Sequence, residues 1–439
     1  MILSTPLPTF IFQWWYSNSQ NSRKYQLYQS MDFPLHFRCP ISMELMKDPV
    51  TISTGVTYER KNIEKWFYTC KKKTCPATMQ VIHSFHMTPN HTLKRLIVAW
   101  QNGKSQSNSN TCPAYSMKHD ELVALLNTIE SSPFKVSSLK KVKSIVELGD
   151  HDVKDDFKKC GGVEVLVRII QQVLIESSDF VTFRACEEAL SLLIKLPIVL
   201  EEEETIKILL QPGCMKSMAI MLQRGSAEAR FCTISIFQRI TKSDCQWNVV
   251  IEDQGIGFFK SLMEIVSDEI CSKASSCALQ VLIDILEKSK KSRLKAIEAG
   301  AMCTLIEILP DSSKSKSEKI MYLIKMLCEC ADGRMGFIEH GLGVAAITKK
   351  ILNISNVGTK IGVKILSLIC NSHPTDKVLD DMLMYGAVKK LVALLHIGGS
   401  STTKERVLKI LKLHGDKWKR NPCFPSELKN YLGMESDSL

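Results

Sequence analysis

A short glycine-headed phrase recurs along this chain at nearly constant spacing, and it limits the folds available. Gly161-Gly162-Val163, Gly213-Cys214-Met215, Gly255-Ile256-Gly257, Gly300-Ala301-Met302, Gly341-Leu342-Gly343 and Gly386-Ala387-Val388 each open an apolar segment. Their first glycines stand 52, 42, 45, 41 and 45 residues apart. A period of about 40–47 residues is that of stacked helical units, each a supersecondary piece whose apolar face is buried only by its neighbours. The glycine has a local reason: lacking Cβ, it lets the chain turn sharply between helices, often at positive φ. Apolar helices are expected after it, as at Val163–Ile170, Met302–Leu309 and Val388–Leu395. A second apolar helix is expected in each unit, at Ala185–Leu196, Phe231–Ile240, Ala274–Leu286, Ile320–Cys328, Ile361–Ile369 and Val407–Leu413. The stretch just before the glycine reads apolar–apolar–Glu at Val250–Glu252, Ala296–Glu298 and Phe337–Glu339. Residues 118–149 read as a capping helix pair, and six units exceed the roughly three that stability needs.

Composition separates function classes once charge is assigned to regions. The 439 residues are 45% hydrophobic and 23% charged, which excludes wholesale disorder. The net charge of +11 invites a nucleic-acid or membrane-surface reading. Residues 31–105 hold 11 basic and 5 acidic residues, a net +6, and residues 1–30 add Arg23 and Lys24. Only +3 is left for the other 334 residues, so the repeat region is near neutral and lacks interleaved basic and aromatic residues. That argues against an importin-like or nucleic-acid-binding solenoid. The acidic run Glu201–Glu204 reads as a solvated helix start, where the dipole favours acids.

The 16 cysteines sit mostly in apolar helical patterns, as Cys232, Cys277, Cys303 and Cys370 do, and read as reduced thiols of an intracellular protein. Residues 1–30 lack the basic start of a signal peptide, and Pro6 and Pro8 interrupt their apolar stretch. They read as a disordered or misassigned extension, with Met31 as the functional initiator. No segment reaches the roughly 18 apolar residues of a membrane helix. Residues 106–116, rich in Gln, Asn and Ser, read as a flexible linker, and residues 421–439 as a tail.

The most specific stretch lies between Pro34 and Trp100. Two amphipathic helices are expected, one near Arg60–Tyr68 with Ile63, Trp66 and Phe67 inward, and one after the N-cap Asn90 with Leu93, Leu96, Ile97 and Trp100 inward. Val50–Gly55 reads as a hairpin strand ending in a turn. The text runs Phe37-Arg38-Cys39-Pro40-Ile41-Ser42-Met43-Glu44-Leu45-Met46-Lys47-Asp48-Pro49-Val50, then Thr57-Tyr58-Glu59-Arg60, Ile63-Glu64-Lys65-Trp66, Thr74-Cys75-Pro76-Ala77-Thr78 and Thr88-Pro89-Asn90-His91. This run resembles a U-box over the whole segment, and specifically the plant U-box proteins that carry armadillo repeats; the glycine-headed units resemble those repeats. The fold implied is mainly α: a right-handed armadillo-repeat superhelix at residues 117–420 after a small α+β U-box at 31–105.

A RING domain of similar shape needs a full set of Cys and His ligands for two four-coordinate zincs. Residues 31–105 offer Cys39, Cys70, Cys75, His36, His83, His86 and His91, one too few and without a Cys-x-x-Cys pair. No metal and no cofactor is expected; hydrogen bonds from Glu44, Asp48, Tyr58, Arg60 and the Thr51, Ser53, Thr54, Thr57 cluster, around a buried structural Cys39, are expected to order the loops. The resemblance implies an E3 ubiquitin-protein ligase of cytoplasmic, nuclear or membrane-peripheral location. Its U-box docks a ubiquitin-charged conjugating enzyme (E2), and its armadillo repeats hold the protein substrate. No covalent intermediate forms on the ligase. Carried over by position, the E2 contacts are Ile41, Met43, Trp66, Pro76, Thr78 and Met79. Many relatives have Arg, Lys or Gln where this chain has Met79, which offers packing but no strong hydrogen bond. An adaptor with a weakened U-box is therefore the alternative reading. Self-association is compatible with both modules.

Overall fold

The structure, a computed structural model, describes residues 33–103, 119–129, 132, 134–148, 151–174, 179–196, 202–241, 247–268, 271–372, 374–397 and 400–420. The proposed extension, linker and tail lie outside these residues. The chain divides into two compact units, one built on residues 33–103 and one on residues 119–420.

The N-terminal unit is organised by a three-stranded antiparallel sheet of order β2-β1-β3, with β1 at Pro49–Ile52, β2 at Thr57–Glu59 and β3 at Met87–Pro89. Between β1 and β2 the chain reverses at Gly55, whose φ of 77° suits a residue without Cβ. Helix Arg60–Glu64 follows and widens into a π turn through Lys65–Thr69, burying Ile63, Trp66 and Phe67. Asn90 caps helix His91–Gly103: its Oδ1 accepts the Leu93 amide at 3.0 Å. Its Nδ2 donates to Thr51 and Thr57 Oγ1, 3.3 Å each, tying helix to sheet. The buried stripe of this helix is narrower than expected. Ile97 is buried and Leu93 and Trp100 are half-buried, Trp100 with its ring against Phe33 and Phe37, but Leu96 is exposed.

The C-terminal unit is a helical solenoid. A helix pair, His119–Ile129 and Lys135–Leu148, precedes it. Five of the six repeats then have three helices rather than the two expected, since the segment before the glycine is itself a short helix; in the third repeat it is fused with the helix that follows. The fourth repeat shows the pattern: Lys290–Glu298, Ala301–Ile308 and Lys314–Cys328. The third helices, Phe180–Leu193, Ala227–Ile240, Ser272–Lys288, Lys314–Cys328, Asn356–Cys370 and Ser401–Lys419, stack on one another. Buried Glu187 joins two of them by accepting the Ser226 amide at 2.6 Å while pairing with Arg184 at 2.5 Å.

Positive φ is confined to Gly161, Gly300 and Gly386 among the repeat glycines. At Gly213 the preceding Pro212 opens the helix instead, and Asn248–Ser267 runs as one helix through Gly255 and Gly257. Glu203 and Glu204 occupy a first helical turn, as expected, and Glu202 pairs with Lys158. Among the described residues no helix is long and apolar enough to cross a membrane.

Candidate functional site

Two loops of the N-terminal unit repeat one design. Cys39-Pro40-Ile41-Ser42-Met43-Glu44 and Cys75-Pro76-Ala77-Thr78-Met79-Gln80 share a pattern of Cys, Pro, any residue, Ser or Thr, Met, then Glu or Gln. In the first, the Cys39 amide donates to the Glu44 carbonyl at 2.8 Å, and the Met43 amide to the Cys39 carbonyl at 2.9 Å. In the second, the Cys75 amide donates to Gln80 O and the Met79 amide to Cys75 O, both at 2.8 Å. Met43 and Met79 both turn the chain at φ 59°, a left-handed conformation that costs an L-residue about 1–2 kcal/mol. The bridges Arg38↔Leu45 and Thr74↔Val81 close the loops as twin hairpins.

Each hairpin is anchored through its cysteine sulphur. Cys39 Sγ accepts the Glu59 amide at 3.3 Å and lies 3.6 Å from Asn62 Nδ2. Cys75 Sγ accepts the Thr54 hydroxyl at 3.3 Å and lies 3.0 Å from the Tyr58 hydroxyl, which also takes the Ala77 amide at 3.1 Å. Burial raises the Cys75 pKa, but hydrogen bonds from Thr54, Thr78 and Tyr58 outweigh it and the net shift is downward. The Tyr58 phenol is pushed far up, first by burial and then by its bond to Cys75, so it stays protonated and available as a donor. Trp66 joins the helix to the second hairpin: its indole Nε1–H donates to the Thr74 carbonyl at 2.7 Å.

A charged cluster braces the first hairpin from outside. Arg60 Nε reaches Asp48 Oδ2 at 2.6 Å and Lys94 Nζ reaches Asp48 Oδ1 at 3.1 Å, so β1, the first helix and the last helix share one carboxylate. Those bonds, Arg60 first, hold the Asp48 carboxyl below its ordinary pKa. A depressed folded-state pKa means stability that is full above the unfolded value near 3.8 and lost as the pH falls through the folded value. Acid unfolding of this unit, followed by amide exchange in residues 47–60, is expected to begin below about pH 4. Asp48→Asn should flatten that dependence, and an unchanged acid limb would exclude the cluster as its source.

The expected site residues fall into distinct places. Ile41 and Met43 lie in the first hairpin, Pro76 in the second and Trp66 on the helix bonded to the second; all four are buried, so they offer edges rather than whole side chains. Thr78 is half-buried and Met79 is 42% exposed, so the second hairpin displays Met79 at its turn and Val81 beside it. Among the scaffold residues, Cys39, Asp48, Tyr58 and Arg60 carry the bonds just described. Glu44 departs from expectation: its side chain is exposed and its carbonyl alone is engaged. The carboxylate that braces this turn is Glu59, which accepts the Lys47 and Asp48 amides at 2.7 and 3.0 Å. Glu59 reaches them because β2 lies antiparallel to β1, pairing it with Pro49. Glu59, Asn62 and Thr74 were missed by sequence reasoning; the repeated Cys-Pro pattern, 36 residues apart, was the available signal for the hairpins.

Comparison with known proteins agrees with this geometry. The profile of the U-box domain matches residues 33–106, and that of the plant U-box protein ARM repeat region matches residues 120–432. The chain belongs to the plant U-box proteins with ARM repeats. Among curated relatives of this U-box/ARM chain, the Arabidopsis thaliana E3 ubiquitin-protein ligase PUB23 is 33% identical over 91% of the chain and 97% of its own length. The E3 ubiquitin-protein ligase PUB22 of the same plant is 31% identical over 91% and 98%. A solved structure from a study of the cadherin–β-catenin interaction shares the fold, with TM-score 0.53 and 13% identity over 78% of this chain and 61% of that one. The repeat unit is thus a right-handed armadillo superhelix, and the N-terminal unit a U-box. In this U-box, protein hydrogen bonds hold the sulphurs of Cys39 and Cys75.

Proposed function

We propose that this U-box/ARM protein is an E3 ubiquitin-protein ligase: the U-box docks a ubiquitin-charged E2, and the armadillo repeats hold the protein that receives ubiquitin. The observation that carries this reading is the pair of matched hairpins, the second tied to the helix by Trp66 and exposing Met79, in a chain whose relatives are named as such ligases. Ile41, Met43, Pro76 and Thr78 shape the rim that the E2 meets. The chemistry is positional. The E2 thioester is held where a substrate lysine attacks its carbonyl, the sulphur leaves as the E2 thiol, and the ligase forms no bond; proximity of this kind is worth several kcal/mol. Cys39 and Cys75 are buried and occupied as hydrogen-bond partners, which suits structural thiols and not nucleophiles.

Met79 favours a second reading, an adaptor with a weakened U-box, because its thioether cannot donate a hydrogen bond to ubiquitin. Discharge of ubiquitin from a charged E2 to free lysine separates the two. The intact chain is expected to accelerate discharge; an adaptor leaves the rate unchanged. Met79→Arg places a cation on the same left-handed turn at no added backbone cost, and it is expected to raise the rate about tenfold, the worth of one charge-assisted hydrogen bond. No gain would show that the exposed thioether already suffices.

A further inference from the structure

The stacked third helices carry their charges unevenly. Through the first four repeats several cations on or beside these helices are matched by acids of the chain itself, although among the described residues Lys273, Lys288 and Lys314 have no ion pair. Lys140 and Lys143 approach Glu188 at 3.9 and 3.7 Å, Lys195 pairs with Glu147 at 3.2 Å, Arg230 with Glu264 at 3.1 Å and Lys325 with Glu329 at 3.0 Å. Beyond Glu329 the matching thins, and on the last helix it is confined to its C-terminal end, where Lys417 pairs with Asp376. Helix Asn356–Cys370 contains no Asp or Glu, and it carries Lys360 and Lys364 one turn apart. Helix Ser401–Lys419, stacked on it, adds Lys404, Arg406, Lys409 and Lys412. Among the described residues none of these six side chains forms an ion pair or hydrogen bond. The acids of the last helix are engaged elsewhere: Glu405 accepts the Ser401 hydroxyl at 2.8 Å, and Asp416 pairs with Lys419 at 2.9 Å.

Crowded like charges left unpaired destabilise a fold unless something of opposite sign covers them. Lys364 feels this crowding: burial, then repulsion from Arg406, Lys325 and Lys409, lowers its pKa despite nearby Glu329. We propose that this end of the third-helix ladder docks an acidic stretch of the protein substrate, with Asp or Glu carboxylates seated among Lys364, Arg406 and Lys409. The inference rests on the repeats being the part that holds substrate, and it adds the chemistry of what they hold. The geometry sets a spacing. Packed helices lie about 8–10 Å apart and an extended chain rises about 3.3 Å per residue, so every third residue of a crossing segment meets the next helix. Arg406 can grip a carboxylate through two parallel N–H donors, whereas the lysines act as point charges.

The test uses the full-length chain and a fluorescein-labelled peptide of four Glu-Ser-Gly triplets, read by fluorescence anisotropy. Binding that weakens as salt rises is expected, with none for the matching Lys-Ser-Gly peptide. Lys364→Glu with Arg406→Glu should weaken binding about tenfold or more. Lys364→Gln with Arg406→Gln, a milder change, should weaken it measurably with the thermal melt unchanged. The control, Lys260→Glu with Lys389→Glu, alters net charge equally at exposed positions off the ladder and should leave affinity as it was. The proposal is overturned by equal loss in the control, by absence of binding, or by a single-stranded oligonucleotide that binds more tightly than the peptide and is lost in the same variant. Discharge to free lysine by the wild-type chain scores the ligase reading separately, because it needs no segment bound to the repeats.

Discussion

Trp66→Ala is expected to abolish ubiquitin discharge and to cost the U-box about 3–5 kcal/mol, the usual penalty for emptying a large aromatic site. That is a large share of what a unit of some 70 residues can supply. The ring is buried beside Ile63 and Phe67, and its indole N–H is the bond that fixes the second hairpin to the helix through Thr74 O. Trp66→Phe separates packing from positioning. It keeps most of the ring's volume, removes the 2.7 Å bond and leaves the Thr74 carbonyl without that donor, for about 1–3 kcal/mol. Amide exchange in residues 74–82 of the full-length chain should accelerate in Trp66→Phe while residues 47–60 stay protected, and discharge should fall with it. Wild-type discharge from Trp66→Phe with a visibly loosened hairpin would mean that the hairpin's placement does not govern catalysis.

This coupling shows what was legible in the sequence and what was not. Asn90 as an N-cap, the inward face of Ile63, Trp66 and Phe67, and the hairpin at Gly55 were readable because each is a local rule acting over a few residues. The solenoid was readable because its period repeats six times. The first helix of each repeat was not. Lys290–Glu298 buries just Ser292 and Ala296, so it carries almost no apolar periodicity and forms because its neighbours cover it. Strand β3 has three residues, too few for alternation to register. The exchange of Glu44 for Glu59 has a different cause. Both lie in polar contexts, and the choice is made by strand register, which sets Glu59 against Pro49 and within reach of the turn amides. The burial of Ile41, Met43 and Pro76 was likewise invisible, because a Cys-Pro loop reads the same whether it curls inward or displays its side chains.

The solenoid makes a second large prediction, which turns on one substitution at two places in one helix. Gly333 and Gly336 both lie in Ala331–Glu339, three residues apart. A Cβ at Gly333 would stand 2.0 Å from the Leu327 carbonyl oxygen, backbone that no rotamer can move aside, because a mere two residues separate this helix from the one before it. A Cβ at Gly336 would meet the Met302 side chain at 3.7 Å, ordinary contact. Gly333→Ala is therefore expected to destabilise by about 3 kcal/mol or more, from forced overpacking. Gly336→Ala should be neutral or stabilising by roughly 0.5–1 kcal/mol, from lower chain entropy in the unfolded state. Because a solenoid's stability is approximately a sum of repeat and nearest-neighbour terms, the Gly333 lesion should stay on its own side of the junction. Exchange should quicken across residues 331–420 while the helices at 162–308 keep most of their protection. Uniform loss across all repeats would show that the array unfolds as one cooperative body, and equal effects at the two glycines would show that the Leu327 contact is not what requires glycine at 333.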